Sequence, residues 1–176
     1  MTAPTPPEVW LRGPLPGFDP AVMPVAHGLV QVREDLADAL TGVSDDDLWT
    51  HPGGAASAGY HLRHLAGSLG RLLTYARGEQ LTPAQLAALG REGEPGQSVA
   101  SLLAEVQAGI DRALAQIAAT PAASLSETRS VGRKNLPATV LGLLVHAAEH
   151  SSRHTGQLIT TLKIVRGTRT GSPAAA

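Results

Sequence analysis

Four long stretches of this chain repeat apolar side chains with the three-to-four-residue spacing of an α-helix. They lie at residues 19–40, 58–77, 99–119 and 137–165, and glycine or proline interrupts the chain between them. Aromatic residues make up only 3% of the chain, so leucine, alanine and valine must fill the core, which favours packed helices over a sheet. We therefore predict an all-α fold, an up-down four-helix bundle with short extra helices in the connections.

The predicted bundle occupies residues 19–166 as one domain, which suits a chain of 176 residues. Residues 1–18 are rich in proline and glycine and are predicted to form an extended N-terminal arm. Residues 121–136 are expected to form an irregular, polar connection without a sheet. Gly167 is predicted to end the last helix, which leaves residues 167–176 as a mobile C-terminal tail.

Charge and composition argue against several classes of function. The formal net charge is −1 and the 14 basic residues are scattered, so we expect no nucleic-acid partner. No stretch approaches the ~18 apolar residues of a membrane span, and the first residues lack the segments of a signal peptide. We therefore expect a cytoplasmic protein without a membrane partner. The chain has no cysteine, so a bound metal ion must take histidine and carboxylate ligands.

Histidines cluster on two of the predicted helices. His146, His150 and His154 recur at every fourth residue, and His61 and His64 lie three apart far upstream. Two imidazoles one helical turn apart can share a metal ion, whereas a drift of about 40° per step keeps all three from converging. One upstream ligand and two from the last helix would leave a coordination position open for water or substrate. The alternative is a solvated face of histidines, or rings that only form hydrogen bonds.

Two segments carry a resemblance to a known family. They are SAGYHLRHLAGS at residues 57–68 and HAAEHSSRHTGQ at residues 146–157. Together with the Leu48-Trp49 turn that precedes the first segment, they resemble the hallmark segments of the DinB/YfiT-like family. The resemblance extends over residues 20–165, but the family often has an arginine where this chain has Thr155.

The resemblance implies a four-helix bundle that holds a divalent metal ion, zinc or nickel, on three histidines. The positions that match the family's ligands are His64, His150 and His154. Family members often form dimers, so the resemblance also implies a homodimer. Some relatives are transferases that use bacillithiol, mycothiol or glutathione, and others have been described as metal-dependent hydrolases.

Polar residues near the implied ligands are candidates for the pocket or for contacts to the ligands: His61, His146 and Gln157. Glu149 lies about 100° from His150 around the helix, so we do not assign it as a general base, and no catalytic residue is assigned. His27 and His51 stand alone in the sequence, and we expect structural or surface roles for them.

Three functions stay open from the sequence. The first is a metal-dependent transferase that acts on a low-molecular-weight, bacillithiol-like thiol and an electrophilic small molecule. The second is a metal-dependent hydrolase that uses the same ligands. The third is a non-catalytic metal-binding or stress-response protein. A coordination position open to a pocket would favour an enzyme, and a closed site with four protein ligands would favour a structural role.

Overall fold

The structure is a computed structural model, and it describes residues 6–170, with only the backbone for residues 168–170. Four long helices form the molecule: α1 (Met23–Ala39), α3 (Ala58–Ala76), α5 (Val99–Ala119) and α6 (Val140–Thr170). Two short helices lie in the connections, α2 (Asp45–Trp49) and α4 (Pro83–Leu89). The predicted helical bundle with short extra helices is therefore confirmed, and the predicted ranges of α3 and α5 agree to within one residue.

Hydroxyl side chains begin four of these helices. Each accepts a hydrogen bond from the backbone N–H three residues further on, which satisfies one of the free donors of the first turn. These caps are Ser44, Ser57, Thr82 and Ser98. Since a cap depends only on neighbouring residues, the starts of these helices follow directly from the sequence.

The apolar stripes of the four long helices meet in one core. Every long helix contributes side chains with no measurable exposure, among them Leu29, Leu36, Leu62, Leu65, Leu102, Ile110, Leu144 and Leu158. In this core α3 packs between α5 and α6, and α1 closes the bundle on the opposite side by packing against the same two helices. None of the described helices is long and apolar enough to cross a membrane.

Helices α3 and α6 run antiparallel, and they carry the histidine clusters. His61 contacts His154, whereas His64, later on α3, contacts His150, which comes earlier on α6. Helix α1 runs parallel to α6, because Gly28 lies against Ala148 in their first halves and Arg166, late on α6, donates to the carbonyl of Thr41 just after α1. Both histidine clusters therefore face each other across one helix pair.

Helices α3 and α5 run parallel, which differs from the simple up-down order that we expected. At their starts Arg63 bonds to Gln97, and at their ends Gln116 donates to the carbonyl of Leu73. The chain must therefore return along the bundle between the two helices. Residues 77–98, which include α4, make this return.

The first residues do not form the extended arm that the sequence predicted. Residues 1–5 lie outside the described part of the chain, but Val9–Arg12 forms a 3-10 turn. Val9 is buried, its N–H donates to Gln31 on α1, and Arg12 forms a bidentate ion pair with Glu34. The segment packs on α1 because it carries an apolar side chain that the proline-rich composition concealed.

Two further predictions about the C-terminal half are wrong. Residues 121–136 are not wholly irregular, because β1 (Thr128–Val131) pairs with β2 (Leu136–Thr139) in an antiparallel hairpin whose strands are too short for a visible alternation. Gly167 does not end α6, which continues to Thr170, since this glycine does not adopt the left-handed conformation that terminates a helix. Residues 171–176 of the predicted mobile tail lie outside the described residues.

Candidate metal centre

Three histidine rings converge between α3 and α6. His64 comes from α3, and His150 and His154 come from successive turns of α6. Each ring offers one nitrogen atom, and these three atoms all lie within 4.8 Å of one another. The Nε2 atoms of His64 and His150 are 3.0 Å apart. The structure thus brings together the three residues that the family resemblance implied as metal ligands.

A buried carboxylate lies behind His64. Nδ1 of His64 is 2.6 Å from Oε2 of Glu92. Glu92 is only 5% exposed and belongs to the connection between α4 and α5. The other carboxylate oxygen accepts a hydrogen bond of 2.7 Å from Nη1 of Arg71, on α3. With the proton of His64 on Nδ1, its Nε2 presents a lone pair toward the other two histidines.

His61 plays a similar part behind His154. The Nδ1 atoms of the two rings are 3.1 Å apart, so that one must donate to the other, and His61 is 8% exposed. If the proton lies on Nδ1 of His154, its Nε2 is left free for a ligand. His61 therefore contacts His154 and lies outside the three-histidine group.

Burial favours the neutral form of three of these rings, His61, His150 and His154. Burial, followed by the neighbouring His64, His150 and His61 and by Arg153, lowers the pKa of His154 to about 4. Burial also lowers the pKa of His150 and of His61, with further lowering from His64. Neutral imidazole is the form that binds a metal ion, so the lowered pKa values of His150 and His154 favour metal binding.

Glu92 is ionised in this environment. Burial alone would raise the pKa of this carboxyl, but hydrogen bonds from His64 and Arg71 outweigh burial and hold the pKa below its ordinary value. The charged carboxylate can only accept hydrogen bonds, and both of its oxygens are engaged.

The donor set fits a divalent ion. The Nε2 atoms of His64 and His150, 3.0 Å apart, are joined by an N–H···N hydrogen bond without an ion, and a cation between the rings would instead take a lone pair from each. The buried Nδ1 of His150 has no hydrogen-bond partner within the described part of the chain. Borderline metals such as zinc and nickel suit three neutral imidazoles, whereas hard ions such as magnesium prefer oxygen ligands.

The remaining candidates from the sequence lie outside the ligand cluster. His146 is half exposed, with Nδ1 3.3 Å from a carboxylate oxygen of Glu149, and its ring lies 5.3 Å from that of His150. Glu149 itself is bound by Arg153, so that it faces solvent and not the cluster. Gln157 is exposed and does not join the three-histidine group.

The two isolated histidines, for which we expected structural or surface roles, lie away from the three-histidine group. His27 and His51 each bond to a backbone carbonyl, of Gly13 and Ala55 respectively. Thr155, at the position where the family often has arginine, is buried and donates its hydroxyl proton to the carbonyl of Ser151. Its side chain therefore faces the core and is not part of the metal centre.

A pocket of about 300 Å³ adjoins the cluster. Its polar lining residues are His64, His146, His150, Ser68 and Arg71, and its apolar lining residues are Leu72, Tyr75, Leu81 and Leu89. A larger apolar groove of about 650 Å³ lies between the N-terminal segment and α1, where Ser152 also lines it. Since Ser152 is about 200° from His150 around α6, that groove is on the other side of the helix from the metal centre.

Arg71 and Glu92 were not found from the sequence. Arg71 lies seven residues after His64, two helical turns away on the same face, so its spacing was a usable signal. Glu92 comes from a loop, 28 residues away from His64 in sequence, and no local pattern connects the two.

Comparisons with known proteins agree with this architecture. The family model described as the DinB superfamily matches residues 28–158. A crystal structure of a conserved protein of locus from Enterococcus faecalis is similar with a TM-score of 0.58 and 17% sequence identity. The similarity covers 83% of this chain and 97% of that chain, and at this identity it concerns the fold alone. No curated protein matches the chain.

Proposed function

The chain belongs to the DinB superfamily, and from that premise we propose that it is a metal-dependent transferase, which joins a bacillithiol-like, low-molecular-weight thiol to an electrophilic small molecule. One observation carries the proposal. His64 and His150 of the three-histidine group line a pocket that also contains Arg71 and Ser68 and has an apolar side formed by three leucines and Tyr75. A small substrate with an apolar body suits these walls, and its reactive atom would lie beside the histidines.

The chain's own residues would hold and orient the ion. The ligands are His64, His150 and His154, and the ion is zinc or nickel. When bound, it would supply Lewis acidity, which leaves a thiol deprotonated at neutral pH and thus nucleophilic. Glu92 and His61 engage the second nitrogens of two of these rings, so that the ligand lone pairs stay aimed at one point.

The surroundings of the pocket favour thiol transfer over hydrolysis. Many metal-dependent hydrolases assist the bound water with a carboxylate general base, and the described residues lining this pocket include no carboxylate. Glu92 is committed to two hydrogen bonds, and His146 at the rim contacts Glu149. A thiol makes a smaller demand, because its lower pKa lets coordination alone release the proton.

An enzyme is also favoured over a purely structural or storage site. Structural zinc sites are closed by four protein ligands. Among the described residues, the group around His64 has three, and the neighbouring pocket gives access to it. At least one coordination position would therefore face the pocket.

The proposal includes the setting in which the protein acts. We place it in the cytoplasm, where low-molecular-weight thiols are kept reduced, without a nucleic-acid or membrane partner. Because members of the family often form dimers, we also propose a homodimer, which light scattering of the purified protein would test.

The first experiment measures metal content. Untagged protein is purified without chelators and submitted to elemental analysis, and we expect about one zinc or nickel ion per chain. His150→Ala removes one of the three proposed ligands and should weaken metal binding by more than about 100-fold. Loss of a residue that only contacts a ligand already lowers metal affinity by about 10–100-fold. His146→Ala is the matched control, one turn away on α6, and should retain the ion.

The second experiment measures transfer. The metal-loaded protein is mixed with monochlorobimane as the electrophile and with bacillithiol, mycothiol or glutathione, and formation of the thioether is followed by fluorescence. We expect adduct formation with one of the thiols, and its loss in His150→Ala. A protein that neither contains nor takes up zinc or nickel would overturn the proposal. Bound metal without transfer from any of the three thiols, but with ester hydrolysis, would replace it with the hydrolase function.

A further inference from the structure

We propose that Glu92 is a positioning residue of the metal centre, which fixes the tautomer and the orientation of His64 from a loop outside the four long helices. This inference deepens the proposed function, and it rests on the metal-binding part of it but not on thiol transfer. It assigns a common purpose to three α3 residues that are not ligands: Arg63, Gly67 and Arg71.

The contact between Glu92 and His64 determines where the histidine carries its proton. At 2.6 Å the carboxylate must accept a hydrogen bond from Nδ1, because an ionised carboxylate has no proton to donate. The proton is thereby held on Nδ1, and Nε2 keeps the lone pair that faces His150. Without the carboxylate the proton could lie on Nε2, where it would block the ligand atom.

Arg71 keeps the carboxylate in place. A buried carboxylate is costly unless it is paired and hydrogen-bonded, and Glu92 is 5% exposed. Arg71, 8% exposed, bonds its Oε1 at 2.7 Å and leaves Oε2 for His64. One carboxylate oxygen of Glu92 therefore bonds Arg71, and the other bonds His64.

The loop that carries Glu92 is attached to α3 by a second arginine. Arg63 donates to the carbonyl of Arg91 at 2.7 Å, to the carbonyl of Glu94, and to the side chain of Gln97 at 3.0 Å. These bonds hold the backbone on both sides of Glu92. The side chain of Glu92 therefore extends from a backbone segment whose position is fixed relative to α3.

Gly67 provides the space that this arrangement needs. A Cβ atom at this position would lie 2.6 Å from Oε1 of Glu92 and 2.7 Å from Nη1 of Arg71, both closer than real Cβ atoms come. Gly67 lies four residues after Arg63 and four before Arg71, so the three form one stripe along α3. Every member of this stripe either contacts the loop or leaves room for the carboxylate.

The test compares two substitutions that each remove one negative charge near the cluster. Glu92→Gln removes the charge that holds the proton on Nδ1 of His64. Glu149→Gln is the matched control, because Glu149 is also near the cluster but is half exposed and bonds no proposed ligand strongly. For both variants, the ring-nitrogen NMR shifts of His64 are measured in metal-free protein, and zinc affinity is measured by chelator competition.

We expect Glu92→Gln to bind zinc about 10–100-fold more weakly than the wild type, as is typical when a partner of a ligand histidine is lost. The NMR shifts should show a move of the His64 proton from Nδ1 toward Nε2. Glu149→Gln should leave the tautomer unchanged and the affinity within about 3-fold. The tautomer is the decisive signal, because a merely structural role of Glu92 would not alter it.

Two results separate this inference from the proposed function. Wild-type zinc affinity and tautomer in Glu92→Gln would overturn the inference and leave the metal centre standing. Bound zinc without thiol transfer would overturn the proposed function and leave this inference standing, whereas a wild-type protein that binds no zinc would overturn both. Should Glu92→Gln fail to fold, Glu92→Asp, which keeps the charge but shortens the side chain that reaches His64, gives the same two measurements and the same decision.

Discussion

Replacement of Gly67 by alanine tests how tightly the buried ion pair is packed. The new Cβ would lie 2.6 Å from Oε1 of Glu92 and 2.7 Å from Nη1 of Arg71, so at least one of these groups must move. Both groups are ends of flexible chains, but they are buried and bonded to each other at 2.7 Å. If one group moves, their hydrogen bond lengthens or breaks, and if both move together, the hydrogen bond between Glu92 and His64 is disturbed instead.

The magnitude follows from two opposing contributions. Alanine stabilises the middle of a helix by about 1 kcal/mol relative to glycine. Loss of a hydrogen bond between charged groups costs about 1.5–3 kcal/mol. We therefore expect Gly67→Ala to lower the free energy of unfolding by about 0.5–2 kcal/mol, which is a Tm decrease of about 1–8 °C for a chain of this size.

Gly70→Ala is the matched control on the same helix. A Cβ at Gly70 meets nothing within 4 Å, so this variant should gain the full helix contribution of about 1 kcal/mol, or about 2–4 °C in Tm. Thermal and urea unfolding of the two metal-free variants, side by side with the wild type, measures the difference. If Gly67→Ala gains as much stability as Gly70→Ala, the carboxylate moves freely and the reasoning about its fixed position is refuted.

The pH dependence and the family's arginine position give two further predictions. The pKa of His154 in the folded protein is about 4, below its usual 6.5, so the unfolded chain takes up the proton first and stability falls as pH decreases between these values. For the metal-free protein we expect the free energy of unfolding to fall by about 1–2 kcal/mol between pH 7 and 4. This is less than the full pKa shift corresponds to, because solvent screens a partly buried ring. A free energy of unfolding in urea that stays constant over this range would contradict the expectation. Thr155→Arg places a charge where 2% of the residue is exposed, so it should destabilise by about 3 kcal/mol or more. The exposed control Gln157→Arg should be neutral, and equal Tm values for the two variants would disprove this burial argument.

The features that the sequence predicted correctly depend on neighbouring residues. Ser57 and Ser98 cap helices through the third residue beyond them, and the apolar spacing that defines each stripe is read within a few turns. The pairing of His150 with His154 is of the same kind, since one helical turn separates them. That His64 faces them depends on how α3 packs against α6, which only the family resemblance indicated.

The features that were missed depend on the path of the connections. The 3-10 turn around Val9 is stabilised by α1, and the hairpin strands pair only with each other across a short turn. Glu92 belongs to a loop rich in glycine and proline, whose composition predicts irregular structure but not its course. No local pattern could place such a side chain against a particular histidine.

The departure from the simple up-down order also accounts for the position of Glu92. Because α3 and α5 run parallel, the chain must travel back along the whole of α3, about 28 Å for its 19 residues, before α5 begins. The returning segment, residues 77–98, ends beside the start of α3, where Arg63 binds it, and so it passes the middle turns of that helix on the way. His64 lies on those turns and faces α6 with one nitrogen, which leaves its other nitrogen for the passing segment. An antiparallel α5 would need only a short turn at the far end of α3, and the same histidine would then have no loop carboxylate to fix its proton.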